Sequence, residues 1–154
     1  MRYVHKFVVN APINVVAGFH QDTRVLKLLT PPPLRVKLGK IEPMAEGSEA
    51  EFTMFLGPLS IKWLAVHSNV DYPKGFTDTQ LEGPFINWVH DHKFIPMKDD
   101  KTLVVDEINA ELGDEPVNRF LSFFMWVNLP VLFFYRKLKT IKMIKKINKL
   151  NSIE

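Results

Sequence analysis

The segment GPFINWVHDHKF, residues 83–94, contains two histidines that could do chemistry, His90 and His92. If the segment is a β-strand, alternate residues share a face, so Trp88 and Phe94 lie on the same side as both imidazoles. A histidine titrates near neutral pH, and its ring both donates and accepts hydrogen bonds. General acid–base chemistry is therefore available to His90 and His92.

Carboxylates that could orient these histidines lie in the two neighbouring predicted strands. Asp78 lies in the strand before the histidines and Asp106 in the strand after them. Buried polar groups need hydrogen-bond partners, so one interpretation is that Asp78, Gln80 or Asp106 only satisfies buried neutral imidazoles. In the other, the histidines orient a bound ligand, or His90 or His92 is a catalytic acid or base held by Asp78 or Asp106.

Two imidazoles on one strand face are also compatible with a metal site. A zinc ion would need at least one more ligand within about 2.0–2.2 Å, which His67, Asp78 or Asp106 could supply. The sequence spacing of these residues does not establish that their side chains meet the two imidazoles at one point. The chain has no cysteine and no glycine-rich phosphate-binding loop. The sequence therefore predicts neither a metal nor a cofactor.

The elements that would position these groups follow from the alternation of apolar and polar residues. Residues 2–9 predict a strand, and two short helices follow before the prolines at 31–33, which end a helix. About six further strands with short turns predict an antiparallel meander with one solvated face. From about Glu115 the apolar spacing becomes three and four residues, which predicts a long helix that Pro130 kinks or splits.

If this helix lies on the concave face of the sheet, alternation also assigns the side chains between them. The ligand-binding residues predicted in this way are Trp63, His67, Phe76, Gln80, Trp88, His90 and His92 from the sheet and Phe120, Phe124 and Phe133 from the helix. An aromatic lining with a few polar groups is usual for a small-molecule pocket. Large aromatic residues also fill ordinary cores, and the sequence leaves that alternative open.

Length and composition predict one soluble domain, residues 1–154. The chain is 46% apolar and 24% charged, as in ordinary globular proteins. Its N-terminus lacks the apolar run and cleavage site of a signal peptide, which favours a cytoplasmic location. The apolar stretch from Phe120 to Tyr135 is 16 residues long, shorter than the roughly 20 that a membrane-spanning helix needs.

Basic residues are concentrated in the C-terminal tail, residues 136–154. Seven Lys or Arg residues lie between positions 136 and 149, more than the net charge of +3, so the rest of the chain is net acidic. This distribution argues against a nucleic-acid partner. The tail is predicted to be a basic amphipathic helix, either simply solvated or in peripheral contact with a membrane. The lysines that would make this contact are Lys139, Lys142, Lys145, Lys146 and Lys149.

Five segments carry a resemblance to a known superfamily. They are APINVVAGFHQD (11–22), LTPPPLRV (29–36), EGSEAEFTMFLGPLSIKW (46–63), GFTDTQLEGPFINWVHDHKF (75–94) and LFFYRKLKT (132–140). Together with the order of elements, they resemble the START-like or Bet v 1-like helix-grip superfamily, and within it the SRPBCC-type polyketide cyclase/dehydrase and lipid-transport branch. The resemblance implies an α+β helix-grip fold, in which a curved antiparallel sheet of about seven strands surrounds a long C-terminal helix.

The same resemblance implies an apolar cavity between sheet and helix. Members bind lipids, sterols, polyketides or other hydrophobic molecules there, and some catalyse cyclisation or dehydration. The first hypothesis is therefore a protein that binds a small hydrophobic molecule. The alternatives are a cyclase/dehydratase-type enzyme that uses the histidines and aspartates, and a membrane-surface or protein-interaction module that uses the basic tail.

Overall fold

The computed structural model describes residues 1–151, and the last three residues of the predicted tail lie outside this range. The elements follow the predicted order. They are β1 (Arg2–Val9), α1 (Ile13–Gln21), a short 3-10 helix (Thr23–Lys27), β2 (Arg35–Ile41), β3 (Glu49–Leu56), β4 (Leu59–Asp71), β5 (Gly75–Glu82), β6 (Asn87–Met97), β7 (Lys101–Glu111), α2 (Pro116–Val127) and α3 (Leu129–Asn151).

The seven strands form a single antiparallel sheet in the order β1-β7-β6-β5-β4-β3-β2. Strands β2 to β7 form a meander, and the first strand of the chain pairs with the last. The pairing register shifts within β2, between Leu38 and Ile41, and twice along β4. Such irregularities bend strands and increase their twist. The predicted α+β helix-grip architecture is confirmed.

The predicted break in the C-terminal helix lies at Asn128, between α2 and α3, whose axes differ by 50°. Pro130 falls in the first turn of α3, where a missing N–H leaves no helical hydrogen bond unmade. The Asn128 side chain donates to the Phe124 carbonyl at 2.7 Å and so closes the last turn of α2. Within residues 1–151 no single helix is long and apolar enough to cross a membrane, although α2 and α3 pass that test together as a bent pair.

Helix α3 contacts the sheet chiefly through β1. Phe133, Thr140 and Ile144 on its inner face are almost completely buried. The sequence suggests an apolar stripe of Leu138, Ile141, Ile144 and Ile147 along this helix, which needs one correction, because Leu138 is 51% exposed and lies on the outer face. An α-helix has 3.6 residues per turn, so residues spaced every three positions rotate gradually around it and do not all stay on the buried face.

Candidate functional site

A cavity of about 380 Å3 lies between the inner face of the sheet and helices α2 and α3. Its wall is mostly apolar, with contributions from β2 to β6, the 3-10 helix and both C-terminal helices. Ten of the side chains singled out in the sequence line it: Trp63, His67, Phe76, Asp78, Trp88, His90, His92, Phe120, Phe124 and Phe133. The alternation of β4, β5 and β6 brings these groups together.

The three predicted helix aromatics have different positions in the wall. Phe133 is 2% exposed and packs among the imidazoles and Tyr3. Phe120 and Phe124 are 65% and 44% exposed, so they lie where the cavity meets solvent. The cavity therefore has a closed aromatic floor on α3 and an apolar rim on α2.

Gln80 and Asp106, which the sequence also placed in the site, are not among the lining residues. The Gln80 side-chain amide donates to the Phe85 carbonyl at 2.7 Å and accepts from the Phe85 N–H at 3.3 Å. Its polar atoms thus hold the turn between β5 and β6. Asp106 lies on β7, directly opposite His92 in the pairing register. It contacts the ring of His92, which lines the cavity.

A row of histidines and aspartates crosses the sheet beneath the cavity. His67 is the register partner of Asp78, Asp78 is that of His90, and His92 is that of Asp106. Directly opposed side chains in an antiparallel sheet are in contact range. The pairing of β4 with β5, β5 with β6, and β6 with β7 therefore builds one continuous polar network.

The network contains two well-formed hydrogen bonds. The Nε2–H of His90 donates to Asp106 Oδ1 at 3.0 Å, and the Nε2–H of His92 donates to Asp78 Oδ2 at 3.1 Å. Two further contacts are short but poorly aligned: His92 Nδ1 lies 3.2 Å from Asp106 Oδ1, and His67 Nε2 lies 3.1 Å from Asp78 Oδ1. Each carboxylate therefore bridges two imidazoles.

The network is anchored at its β4 end by Ser48. The Nδ1 atom of His67 lies 2.9 Å from Ser48 Oγ and 3.0 Å from its carbonyl oxygen. Both residues are buried. At the other end, the rings of His90 and His92 have centroids 3.8 Å apart, and Phe76 stacks on His92 at 4.4 Å. The imidazoles are thus held in fixed orientations.

Solved structures with the same architecture were found despite low sequence identity. A Chromobacterium violaceum protein from a structural genomics consortium superposes with a TM-score of 0.74 at 10% identity, over 93% of this chain and 96% of that one. For a Thalictrum flavum norcoclaurine synthase mutant in complex with a transition-state analogue, the TM-score is 0.72 at 13% identity, with 96% of each chain covered. For the Zhui aromatase/cyclase of a Streptomyces species it is 0.71 at 11%, over 95% and 94%. The chain has the Bet v 1-like helix-grip fold.

The helix-grip fold is what these likenesses establish. No protein-family model and no curated protein matches the sequence. The function of the cavity is therefore argued from the groups that line it and from their charge states.

The charge states follow from burial and from the bridging carboxylates. Burial alone would raise the pKa of both Asp78 and Asp106, but hydrogen bonds from the histidines outweigh it and hold both values far below the usual range. Burial would lower the pKa of His92, yet its contacts with the Asp106 and Asp78 carboxylates raise it to about 9. Burial and the neighbouring His92 charge lower the pKa of His90. At neutral pH an imidazolium therefore lies beside a neutral imidazole.

This arrangement can orient a polar group of a ligand and can move a proton. His92 is a protonated donor and His90 a neutral ring, and environments that push two pKa values apart are what acid–base chemistry requires. However, the described contacts place carboxylates at both ring nitrogens of His92 and at Nε2 of His90. The two imidazoles are therefore mainly engaged with the protein.

The metal interpretation rests on Asp78, His90 and His92, whose ligand atoms lie within 4.8 Å of one another. A histidine binds a metal through the lone pair of a deprotonated nitrogen. Because the pKa of His92 is raised to about 9, a metal ion would have to displace a proton from its imidazolium at neutral pH. The three side chains are better described as an ion-paired network than as a preformed metal centre.

Three polar residues of this region were not singled out in the sequence: His5, His20 and Arg136. His5 lies on β1 opposite Asp106, and its Nε2 is buried without a hydrogen-bond partner among the described residues. Its alternation with Tyr3 was visible in the sequence, but the pairing of β1 with β7 was not. His20 lines the cavity from α1; burial lowers its pKa to about 4, although its Nδ1–H donates to a backbone carbonyl at 2.9 Å.

Arg136 was assigned to the basic tail because it begins the run of positive charges. In the structure it lines the cavity from α3, three residues after Phe133 and on the same helix face. That spacing was the available signal, since residues three apart on a helix are neighbours.

Proposed function

We propose that the protein binds a small hydrophobic molecule in the cavity between its sheet and its C-terminal helices. The observation that carries the proposal is the cavity itself, about 380 Å3 in volume and walled mainly by aromatic and aliphatic side chains. Small-molecule pockets fall in the range of about 300–1,000 Å3 and have this composition. Water would be a poor occupant of this cavity, because the mostly apolar wall offers it few hydrogen-bond partners.

A binding role is favoured over cyclase or dehydratase chemistry by the histidine contacts. The carboxylates that set the protonation of His90 and His92 also lie at both ring nitrogens of His92 and at Nε2 of His90, and a catalytic acid or base would have to present such an atom to a substrate. The network instead closes the polar end of the cavity and fixes its shape. The neighbours named as a synthase and an aromatase/cyclase show that enzymes share this fold, which does not transfer their activities.

The test is binding of a neutral apolar fluorophore to the natural protein and to a variant whose cavity is filled by a larger side chain. Binding that disappears only when the cavity is filled supports the proposal.

We propose in addition that helices α2 and α3 contact an anionic membrane surface. On the outer face of α3, Val131, Phe134 and Leu138 are each more than 50% exposed. Lys142 and Lys145 continue the same face at three- and four-residue spacing and are exposed. Apolar side chains followed by lysines suit an interface between acyl chains and anionic headgroups. The exposed rim of the cavity on α2 would then face the membrane.

Replacing Val131 with glutamate should reduce binding to anionic vesicles at least tenfold. The substitution removes an apolar side chain whose burial in the membrane contributes about 1.5–3 kcal/mol to binding. It also adds a negative charge that the anionic headgroups repel. Co-sedimentation with vesicles of phosphatidylglycerol and phosphatidylcholine measures it, and Val8→Glu, on an exposed position of β1, is the matched control. Failure of the natural protein to sediment with anionic vesicles would contradict the proposal.

A further inference from the structure

Arg136 is partly buried at the cavity, and its guanidinium makes no hydrogen bond with a described residue. Its Nε atom is inaccessible to solvent and makes no hydrogen bond with any residue from 1 to 151. No carboxylate oxygen of those residues lies within 4 Å of the group. The guanidinium carbon lies 5.2 Å from the centroid of the Phe133 ring, a cation–π contact.

The Nε–H of this guanidinium is unfavourable to the folded protein, because it is buried without an acceptor. The guanidinium stays protonated in proteins, so burial cannot be relieved by loss of the proton. Buried polar groups are normally hydrogen-bonded, and this one is not. Contact with an aromatic ring offsets only part of this cost. The Nε–H is therefore a buried donor that no described residue satisfies, and an acceptor in the cavity would satisfy it.

The nearby carboxylates do not fill that role, because the histidines already engage them. Asp78 bridges His67 and His92, and Asp106 bridges His90 and His92. Their charges attract Arg136 only at longer range. The donors of Arg136 thus remain free for a group that enters the cavity.

Arg136 also differs from every other described residue of the cavity wall. It is the sole Lys or Arg among them, and the residues around it are largely apolar. A guanidinium presents its donors in a planar fork that matches the two oxygens of a carboxylate. The rest of the wall suits an alkyl chain or aromatic ring.

We propose that Arg136 binds the carboxylate of an apolar monocarboxylic acid, whose hydrocarbon part occupies the cavity. The inference rests on the proposed hydrophobic-ligand function and specifies its ligand class. In the complex, two guanidinium N–H groups donate to the two carboxylate oxygens, and the apolar body of the acid lies against the aromatic floor around Phe133.

Matched ligands and variants separate this inference from the proposed function. Decanoate and decanol have the same tail and differ in the head group, and isothermal titration at pH 8 measures the affinity of each. The natural protein should bind decanoate at least tenfold more tightly than decanol. Arg136→Met keeps a long side chain and removes the charge, so it should fold and bind the two ligands with similar affinity, losing the preference for the acid. Arg2→Met, at an exposed arginine of β1, should keep the preference.

Equal affinity of the natural protein for the two ligands would overturn the inference but leave the hydrophobic-ligand proposal standing. An unchanged preference in Arg136→Met would overturn it equally, because another group would then be selecting the acid. If neither ligand binds to the natural protein and the neutral fluorophore does not bind either, the proposed function itself fails, and the inference fails with it.

Discussion

Replacing Asp106 with asparagine should lower the free energy of unfolding by about 3–5 kcal/mol, the usual loss when one partner of a buried charge pair is removed. Asp106 is 6% exposed and accepts from His90 at 3.0 Å while lying 3.2 Å from the ring of His92. Without this carboxylate, the charge of the His92 imidazolium is left with Asp78 alone. Urea denaturation followed by circular dichroism measures the change.

Asp100→Asn is the matched control for this substitution. Asp100 lies in the exposed turn between β6 and β7 with a φ of 51°, a conformation that asparagine also tolerates. Its free energy of unfolding should change by less than about 0.5 kcal/mol. A loss below about 1 kcal/mol for Asp106→Asn would show that the network is not a buried, charge-bearing unit.

The free energy of unfolding should be greatest near pH 6.5 and fall on both sides. In the unfolded chain each histidine has a pKa of about 6.5. The pKa of His92 rises to about 9 on folding, because its contacts with the Asp106 and Asp78 carboxylates outweigh the opposing effect of burial. The folded state therefore holds more protons between pH 6.5 and 9, and stability falls as pH rises through that window. From the size of the shift, the loss is about 3 kcal/mol at most.

On the acid side the sign is reversed. Burial lowers the pKa of His20 to about 4 and also lowers that of His90. The unfolded chain binds protons that the folded protein does not, so stability falls as pH drops below 6.5. The lowered pKa values of Asp78 and Asp106 affect stability at still lower pH. Their stabilisation is present above about pH 4 and is lost as pH falls further.

Urea unfolding between pH 4 and 9.5 measures the loss of stability on the alkaline side of pH 6.5 (the alkaline limb) and on the acid side (the acid limb). Single substitutions show which histidine causes each loss. His92→Gln should flatten the alkaline limb and leave the acid limb in place. His20→Gln should reduce the acid limb and leave the alkaline one. A natural protein whose stability is constant from pH 6.5 to 9 would be incompatible with a His92 held between two carboxylates.

Much of the site followed from strand periodicity. The two-residue alternation of β6 places Trp88, His90 and Phe94 on the buried face, with His92 between them. The order of elements and the resemblance supplied the fold. The helix break near Pro130 followed from the missing backbone donor. These features depend on local geometry, which the order of residues specifies directly.

The remaining features depend on which atoms meet in three dimensions. Gln80 has the same parity as Asp78, but it lies near the end of β5, where the Phe85 backbone takes up its amide. Arg136 was not predicted as a cavity residue because it is one of seven Lys or Arg residues between positions 136 and 149, a pattern that suggests a solvated face. The position of Arg136 along the helix nevertheless puts it on the face that lines the cavity. His5 needed the register of β1 against β7, which joins residues about a hundred positions apart.

The central claim is that the cavity holds an apolar molecule, and titration of the neutral fluorophore N-phenyl-1-naphthylamine tests it most directly. The variant is Ala65→Phe, since Ala65 lines the cavity on β4 between Trp63 and His67. Val4→Phe, at a partly exposed position of β1, adds the same ring outside the cavity and serves as the control. The account predicts saturable, one-to-one binding to the natural protein and to Val4→Phe, and at least tenfold weaker binding to a folded Ala65→Phe. Equal binding by all three proteins would place the fluorophore elsewhere and contradict the account.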